Sequence, residues 1–297
     1  MHLADDLFTR SRHDDDVVST QLVICDQIGR LGEDEWIDDV VQSLRDDGLH
    51  LFHVPARTHR RQMLAHALHL IVIGAGLAGL AAANRIAEQG WRVQVLEQGT
   101  DEAYLCNSRY TGGLFHIAMD DMAGDPAWVR DNLVRTTRGT TDPALADALT
   151  QNARRTLRWL SSLGVRFIQA GPDGLRRNSL APPGVRQTGL NWRGRAGDVM
   201  LRTLAARLEA QGGAIHRGMQ AQSLVMEDDR CTGVTVKRQD GQTETRRARA
   251  VVIADGGFQA NPDLVRRFIS AHPEKLLQRN AQTGQGAGLR MAEAVGA

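Results

Sequence analysis

Leu70-Ile71-Val72-Ile73-Gly74-Ala75-Gly76-Leu77-Ala78-Gly79, then an apolar and small-residue run, then Trp91-Arg92-Val93-Gln94-Val95-Leu96-Glu97, is the stretch whose reading decides the fold. The four apolar residues before the first glycine are too β-branched and too continuous for a surface element, and predict a short buried strand. Each glycine has its own task. Gly74 allows the tight turn off the strand, Gly76 lets backbone approach a diphosphate, and Gly79 lets the next helix lie close on the sheet. The free amides and dipole at that helix's first turn favour phosphate charge. A helix over Leu80–Gln89 and a turn at Gly90 lead to a second strand that delivers Glu97. Its carboxylate follows Gly79 by eighteen residues, near the spacing of about twenty at which an acid grips a ribose hydroxyl pair. A bare GxGxxG is weak, but strand before, helix after and acid at this distance together identify a dinucleotide site.

Composition narrows the remainder. At 297 residues, with 42% apolar side chains and a formal charge of +1, the chain has material for one large domain or two smaller ones. The near-neutral balance gives no sign of a nucleic-acid binder. The least polar run, Leu70 to Ala83, is too short and glycine-rich to span a bilayer, so no transmembrane segment is expected. The acidic amino terminus lacks the apolar core of a secretory signal. Cys25, Cys106 and Cys231 are scattered and without CxxC spacing, which fits a reducing cytoplasm and predicts neither a metal site nor a disulfide framework. Cys106 falls close to the dinucleotide motif and reads as a buried spectator thiol.

Residues 1–62 differ from the rest, carrying thirteen acidic and seven basic side chains against a net +7 over residues 63–297. Asp14-Asp15-Asp16 is a solvated run. Val17–Cys25 and Leu49–Val54 have the composition of strands, and Glu33–Arg45 has helical spacing with Trp36, Val40, Val41 and Leu44 on one face. His50 and His53 have no acidic partners that complete a metal site and read as surface histidines. Arg57–Arg61 reads as a linker. The segment carries no recognisable chemistry, and the expected division is an acidic appendage, 1–62, before a nucleotide-binding domain, 63–297.

Beyond Glu97, Asn107-Ser108-Arg109-Tyr110-Thr111-Gly112-Gly113 has the small donors and paired glycines of a loop passing close to a flat, charged ligand. Pro126–Leu163 predicts helix, with apolar faces from Trp128, Leu133, Leu145, Leu149, Leu157, Trp159 and Leu160. Gly164–Ile168 reads as a short strand and Gly171–Gly194 as an irregular excursion around the ligand region, whose Arg176, Arg177, Arg186 and Arg193 read first as solvated surface charges and second as partners for an acidic substrate. A helix over Asp198–Gln211 ends at Gly212-Gly213, and Ala214–His216 begins a strand. Gln220–Met226, Gly233–Arg238 and Glu244–Arg249 predict an antiparallel meander turning at Asp240-Gly241. Ala250–Ala254 is a further buried strand. It ends in Asp255-Gly256-Gly257-Phe258, at the strand end where α/β sheets bind ligands. Thr283-Gly284-Gln285-Gly286 and a small-residue helix, Ala287–Val295, come last.

Taken in order, these segments resemble the FAD-binding dehydrogenases of the fumarate reductase and succinate dehydrogenase flavoprotein family, nearest to its soluble, tricarballylate dehydrogenase-like branch. The resemblance runs from about Leu70 to Ala297, roughly the amino-terminal half of a family member. It implies an α/β fold of the glutathione-reductase-like type: a Rossmann-like FAD-binding domain with a parallel sheet and an antiparallel β-meander, incomplete at its carboxyl end. Gly74, Gly76, Leu77, Ala78, Gly79, Glu97 and Gln98 match the motif for the adenosine and pyrophosphate of FAD. Asn107, Ser108, Thr111, Gly112 and Gly113 match the Asn-Ser…Thr-Gly-Gly segment along the pyrophosphate and flavin. Ala221 stands at the strand position whose backbone meets the adenine. Ala254, Gly256 and Gly257 match Ala-Thr-Gly-Gly, and Thr283, Gly284 and Gly286 match Thr-Gly-Asp-Gly.

Two departures stand out. Asp255 replaces a hydroxyl residue and would repel a diphosphate unless turned away, and Gln285 replaces an aspartate. Tyr110 stands near the histidine that attaches flavin covalently in membrane-bound members, so non-covalent FAD is expected. The resemblance implies hydride transfer between flavin N5 and a small carboxylic acid, with an electron-transfer protein as a further partner. In the family, the capping domain and return segment supply the arginine proton donor and the substrate-clamping His and Arg. The sequence resembles only the part before them, so no catalytic residue is assigned. His116 is the one titratable residue beyond the flavin-side glycines, and reads first as a packed structural histidine. The alternatives are a non-catalytic FAD-binding remnant, a 3-ketosteroid dehydrogenase-like flavoenzyme, and an NAD-linked enzyme, the last disfavoured by the later FAD segments.

Overall fold

The computed structural model describes residues 22–24, 69–171, 177–181, 193–278 and 280–297. The readings made for Asp14–Asp16, Cys25, Glu33–Arg45, Leu49–Val54, His50, His53, Arg57–Arg61, Arg176 and Arg186 lie outside these residues. In chain order the elements begin with β1 (Leu22–Ile24), β2 (His69–Ile73), α1 (Leu77–Glu88) and β3 (Arg92–Glu97). A one-turn helix α2 (Asn107–Tyr110), the hairpin β4 (Leu114–Ile117) and β5 (Asp120–Asp121), and helices α3 (Pro126–Thr136) and α4 (Pro143–Ser162) follow. Next are β6 (Phe167–Ala170), β7 (Arg177–Leu180), α5 (Ala196–Ala210) and β8 (Ala214–Arg217). The chain continues through β9 (Met219–Glu227), β10 (Arg230–Arg238), β11 (Thr243–Arg247), β12 (Ala250–Ile253), α6 (Pro262–Phe268) and α7 (Ala287–Glu293).

A parallel sheet in the order β1-β12-β2-β3-β8 forms the centre, with separate sheets β11-β10-β9 and β5-β4-β7-β6. Both faces of the central sheet are covered, which is why its strands read as unbroken apolar runs. Leu70, Val72, Val93, Val95, Ala250 and Val252 pack with α1 and α5 on one side. Ile71, Ile73, Leu96, Val251 and Ile253 pack with the meander and α7 on the other. Each such Val, Leu or Ile contributes about 1.5–3 kcal/mol by leaving water. α1 turns Leu80, Ala83 and Ile86 inward. Its fully buried Asn84 donates to the carbonyls of Leu80 (2.8 Å) and Leu204 (2.9 Å) and accepts from Gln211 (3.1 Å), which ties α1 to α5.

The sequence reading differs from the fold at several places. α1 starts at Leu77 and not Leu80, because Gly76 adopts the extended N-cap conformation and its carbonyl accepts the first helical bond, from Leu80. The region read as continuous helix breaks between Thr136 and Pro143, where Arg138 (φ 55°) and Gly139 (φ 75°) are left-handed. Asp142 then restarts it by accepting from the Leu145 amide. Part of the expected excursion is ordered sheet, since Arg177–Leu180 pairs antiparallel with both β4 and β6. Leu22–Ile24, within the acidic segment, pairs parallel with Val251–Ile253. The meander has the predicted order and turn, with Gly241 left-handed at φ 84°.

Candidate nucleotide-binding site

β12, β2 and β3 are neighbours in the parallel sheet, so their carboxyl ends lie together, and the segments around Gly74–Gly79, Asn107-Ser108, Gly257 and Gly284–Gly286 are tied to one another beside them. Gly74, left-handed at φ 96°, donates to the Leu96 carbonyl at 2.8 Å. A Cβ on it would lie 2.5 Å from the Ala254 carbonyl oxygen. A Cβ on Gly79 would lie 1.9 Å from the Gly74 oxygen, so α1 sits on its own entry turn at a separation no side chain allows. The first-turn amides of Ala78 and Gly79 have no intrahelical acceptor. The neighbouring Leu77 amide donates to Ser108 Oγ at 3.0 Å. Ser108 accepts there, which leaves its own hydroxyl hydrogen to donate to a second acceptor.

Glu97 is 5% exposed. One carboxylate oxygen accepts from Ala75 (2.9 Å) and the other from Gly99 (2.8 Å). Burial pushes its carboxyl up, opposed by those two amides and by the guanidinium groups of Arg109 and Arg217. Each oxygen keeps a lone pair for an outside donor. Glu97 and Gln98 line a cleft of about 410 Å³ together with Gly99, Lys237, Arg238 and Thr283. Gln220, next to Ala221, lines it too; Ala221 lies in β9 opposite Val236 and is itself buried.

The later segments are joined to this centre by backbone. Asn107 Oδ1 accepts from the Ala281 amide at 2.8 Å. Gly286 donates to the Gly257 carbonyl at 3.2 Å and Ala260 to the Gly284 carbonyl at 2.9 Å, so the two glycine loops form one unit. Thr111 and Gly112 are exposed, while Gly113 is buried against Ala196 and Leu180. Residues 107–110 form a helical turn rather than an open loop.

The Asp255 Oδ2 accepts from the Gly288 amide at 2.8 Å, at the start of α7. Gln285 is held by its carbonyl, which accepts from Asn261 and Arg290. His116 is exposed and not packed, a correction that follows from its place in the short β4–β5 hairpin, where Nδ1 accepts from the Met119 amide at 3.3 Å. Arg177 donates to the Met119 carbonyl rather than standing free. The Cys106 and Cys231 thiols are pushed up by burial and stay protonated. Among the described residues no His, Cys, Asp and Glu group has the arrangement of a metal site, and no helix is long and apolar enough to cross a membrane.

Sequence reasoning missed three side chains that build this place: Tyr104, Arg109 and Asp198. Tyr104 donates to the Ala75 carbonyl at 2.7 Å, and Arg109 pairs with Asp198 in the interior. Partners eighty-nine residues apart leave no local periodicity to read.

Residues 69–297 match the family model described as an FAD binding domain. Vinyl phenol reductase of Lactiplantibacillus plantarum is 25% identical over 237 residues, 77% of this chain and 45% of the relative. L-aspartate oxidase of Caulobacter vibrioides is 27% identical over 63% of this chain and 37% of its own length. Fumarate reductase (cytochrome) of Shewanella frigidimarina is 24% identical over 81% and 42%. The chain therefore spans less than half the length of these relatives. Among solved structures, 3-ketosteroid-delta4-(5alpha)-dehydrogenase from Rhodococcus jostii superposes with a TM-score of 0.66 at 20% identity, over 78% of this chain and 55% of that one. The open conformation of a flavocytochrome c3 fumarate reductase gives 0.62 at 21% identity, over 82% and 44%. These likenesses establish a shared fold.

Proposed function

The chain belongs to the FAD binding domain family, and from that premise we propose that it builds the nucleotide-holding part of a flavin-dependent oxidoreductase acting on a small carboxylic acid. One observation carries the reading: first-turn amides, a buried carboxylate and two joined glycine loops meet at the carboxyl ends of three parallel strands, where such sheets bind ligands. The residues present fit FAD. Gly74 and Gly79 leave backbone bare at the crossover, Ser108 extends the amide set with a hydroxyl, and Asp255 is turned onto α7.

In this reading the amides of Ala78 and Gly79 and the Ser108 hydroxyl hold the diphosphate, and Glu97 accepts the ribose hydroxyls. The adenosine lies in the cleft between Gln98, Gln220 and Thr283. Gly112 and Gly256, where a Cβ would meet no neighbour, let backbone lie against a ring face, while Gly113 packs on Ala196 and Leu180 and Gly257 and Gly284 on Gln259. Bound flavin supplies the hydride chemistry at N5. No residue of this site is given a substrate-clamping or proton-donating role. The acid substrate is supported by the names of two relatives, fumarate reductase and L-aspartate oxidase. Vinyl phenol reductase supports a neutral alkene as the second reading. Tyr110, 37% exposed at the flavin-side turn, offers no imidazole for attachment, so the flavin is held non-covalently.

The test is a titration of the purified chain with FAD, followed by acid precipitation. Saturable binding with all flavin released to the supernatant is expected. Absence of binding heat with FAD, or flavin remaining on the precipitated polypeptide, contradicts the reading.

A further inference from the structure

Arg109 heads the fully buried side chains among the described residues, at 2% exposure. A guanidinium in that position needs a reason. It pairs with Asp198 in the first turn of α5, and its Nη2 donates to the Glu102 carbonyl at 2.6 Å. Its Cζ lies 4.4 Å from the centroid of the Tyr104 ring. Tyr104 in turn donates to the carbonyl of Ala75, the residue between Gly74 and Gly76. Next to Arg109 in sequence, Ser108 receives the Leu77 amide. The second Asp198 oxygen accepts from the Gly194 amide at 2.8 Å and from Arg202 at 3.1 Å.

We infer that Arg109 is a positioning residue for the dinucleotide: with Asp198 and Tyr104 it fixes Ala75 and Ser108 from behind, so that the amides and hydroxyl aimed at the diphosphate keep their places. The inference rests on the FAD reading above. Stability alone is a poor explanation, because a buried ion pair is often matched or exceeded by apolar side chains of similar size. A positioning role predicts the opposite dependence, on ligand affinity rather than on folding.

Arg109 also faces Glu97, where it and Arg217 favour the ionised carboxylate against the cost of burial. The other titratable groups nearby, Tyr104 and Cys106, are both pushed up by burial and remain neutral. Asp198 shares the Arg109 charge from the far side.

The test compares the whole chain with the double variant Arg109→Met/Asp198→Leu and with Arg109→Lys, measuring FAD affinity by flavin fluorescence across pH and folding by thermal unfolding. The double variant leaves neither member of the buried pair behind alone, and Arg202, which loses Asp198, is 57% exposed and reaches water, so the double variant is expected to unfold cooperatively near the parent temperature. Its FAD dissociation constant is expected to rise about tenfold or more, and its loss of binding with falling pH to begin at higher pH than in the parent. Arg109→Lys keeps the charge but loses the planar fork. It should bind more weakly than the parent with an unshifted pH profile. If the parent binds FAD and the double variant matches it within about twofold with the same pH profile, the inference is overturned while the FAD reading stands. A double variant that does not fold leaves Arg109→Lys to decide: affinity equal to the parent overturns the inference. A parent that binds no FAD overturns both.

Discussion

Replacing Glu97 by Gln separates the two roles of its carboxylate. In the structure each oxygen accepts one backbone amide, from Ala75 and from Gly99. A carboxamide offers one oxygen and one NH2, so it satisfies one amide and opposes the other. Loss of a hydrogen bond to a charged acceptor costs about 1.5–3 kcal/mol. Against this, the variant avoids burying a carboxylate. Folding raises the Glu97 pKa above its ordinary 4.5, so the folded chain binds this proton more tightly than the unfolded chain. The corresponding stability is fully present below 4.5 and is lost as pH rises through the folded value. The difference in unfolding free energy, parent minus Glu97→Gln, should therefore fall across that window and be flat on either side, with a limiting slope of about 1.4 kcal/mol per pH unit. Urea unfolding of both ligand-free proteins from about pH 4 to about pH 8 measures it. FAD affinity at neutral pH should drop in parallel, by about 1.5–3 kcal/mol or roughly 10- to 150-fold. A stability difference that is constant, or rises with pH, refutes the buried-carboxylate argument. An unchanged FAD affinity refutes the ribose assignment.

Three further outcomes follow from the packing. Gly79→Ala drives a methyl to 1.9 Å from the Gly74 oxygen; the forced shift of α1 should cost about 1–3 kcal/mol in urea unfolding and abolish measurable FAD binding. Tyr104→Phe leaves the Ala75 carbonyl without its buried donor, a loss of about 1–3 kcal/mol, and should weaken FAD although Tyr104 touches no ligand. Asn84→Ala strips both carbonyls it serves and the link to Gln211; it should destabilise by about 1–3 kcal/mol and leave the flavin absorption spectrum of the bound protein unchanged.

The sequence by itself determined the β2–α1–β3 unit, the meander and the last buried strand. Their signals are local: an apolar run bounded by glycine, alternation around Asp240-Gly241, an acid at fixed distance from Gly79. It also marked the segments around Asn107, Gly256 and Thr283 by their residue types. Only the tertiary structure decided how side chains within those segments are shared out. Ser108 accepts the Leu77 amide while its neighbour Arg109 enters the core, and Asp255 accepts the Gly288 amide. His116 is exposed, and Ala281 meets Asn107 across 174 residues. Strand and helix follow from periodicity carried by neighbours in the chain. The direction of a polar side chain follows from whichever distant donor or acceptor lowers its burial cost, and that partner exists only once the sheet has brought the loop ends together.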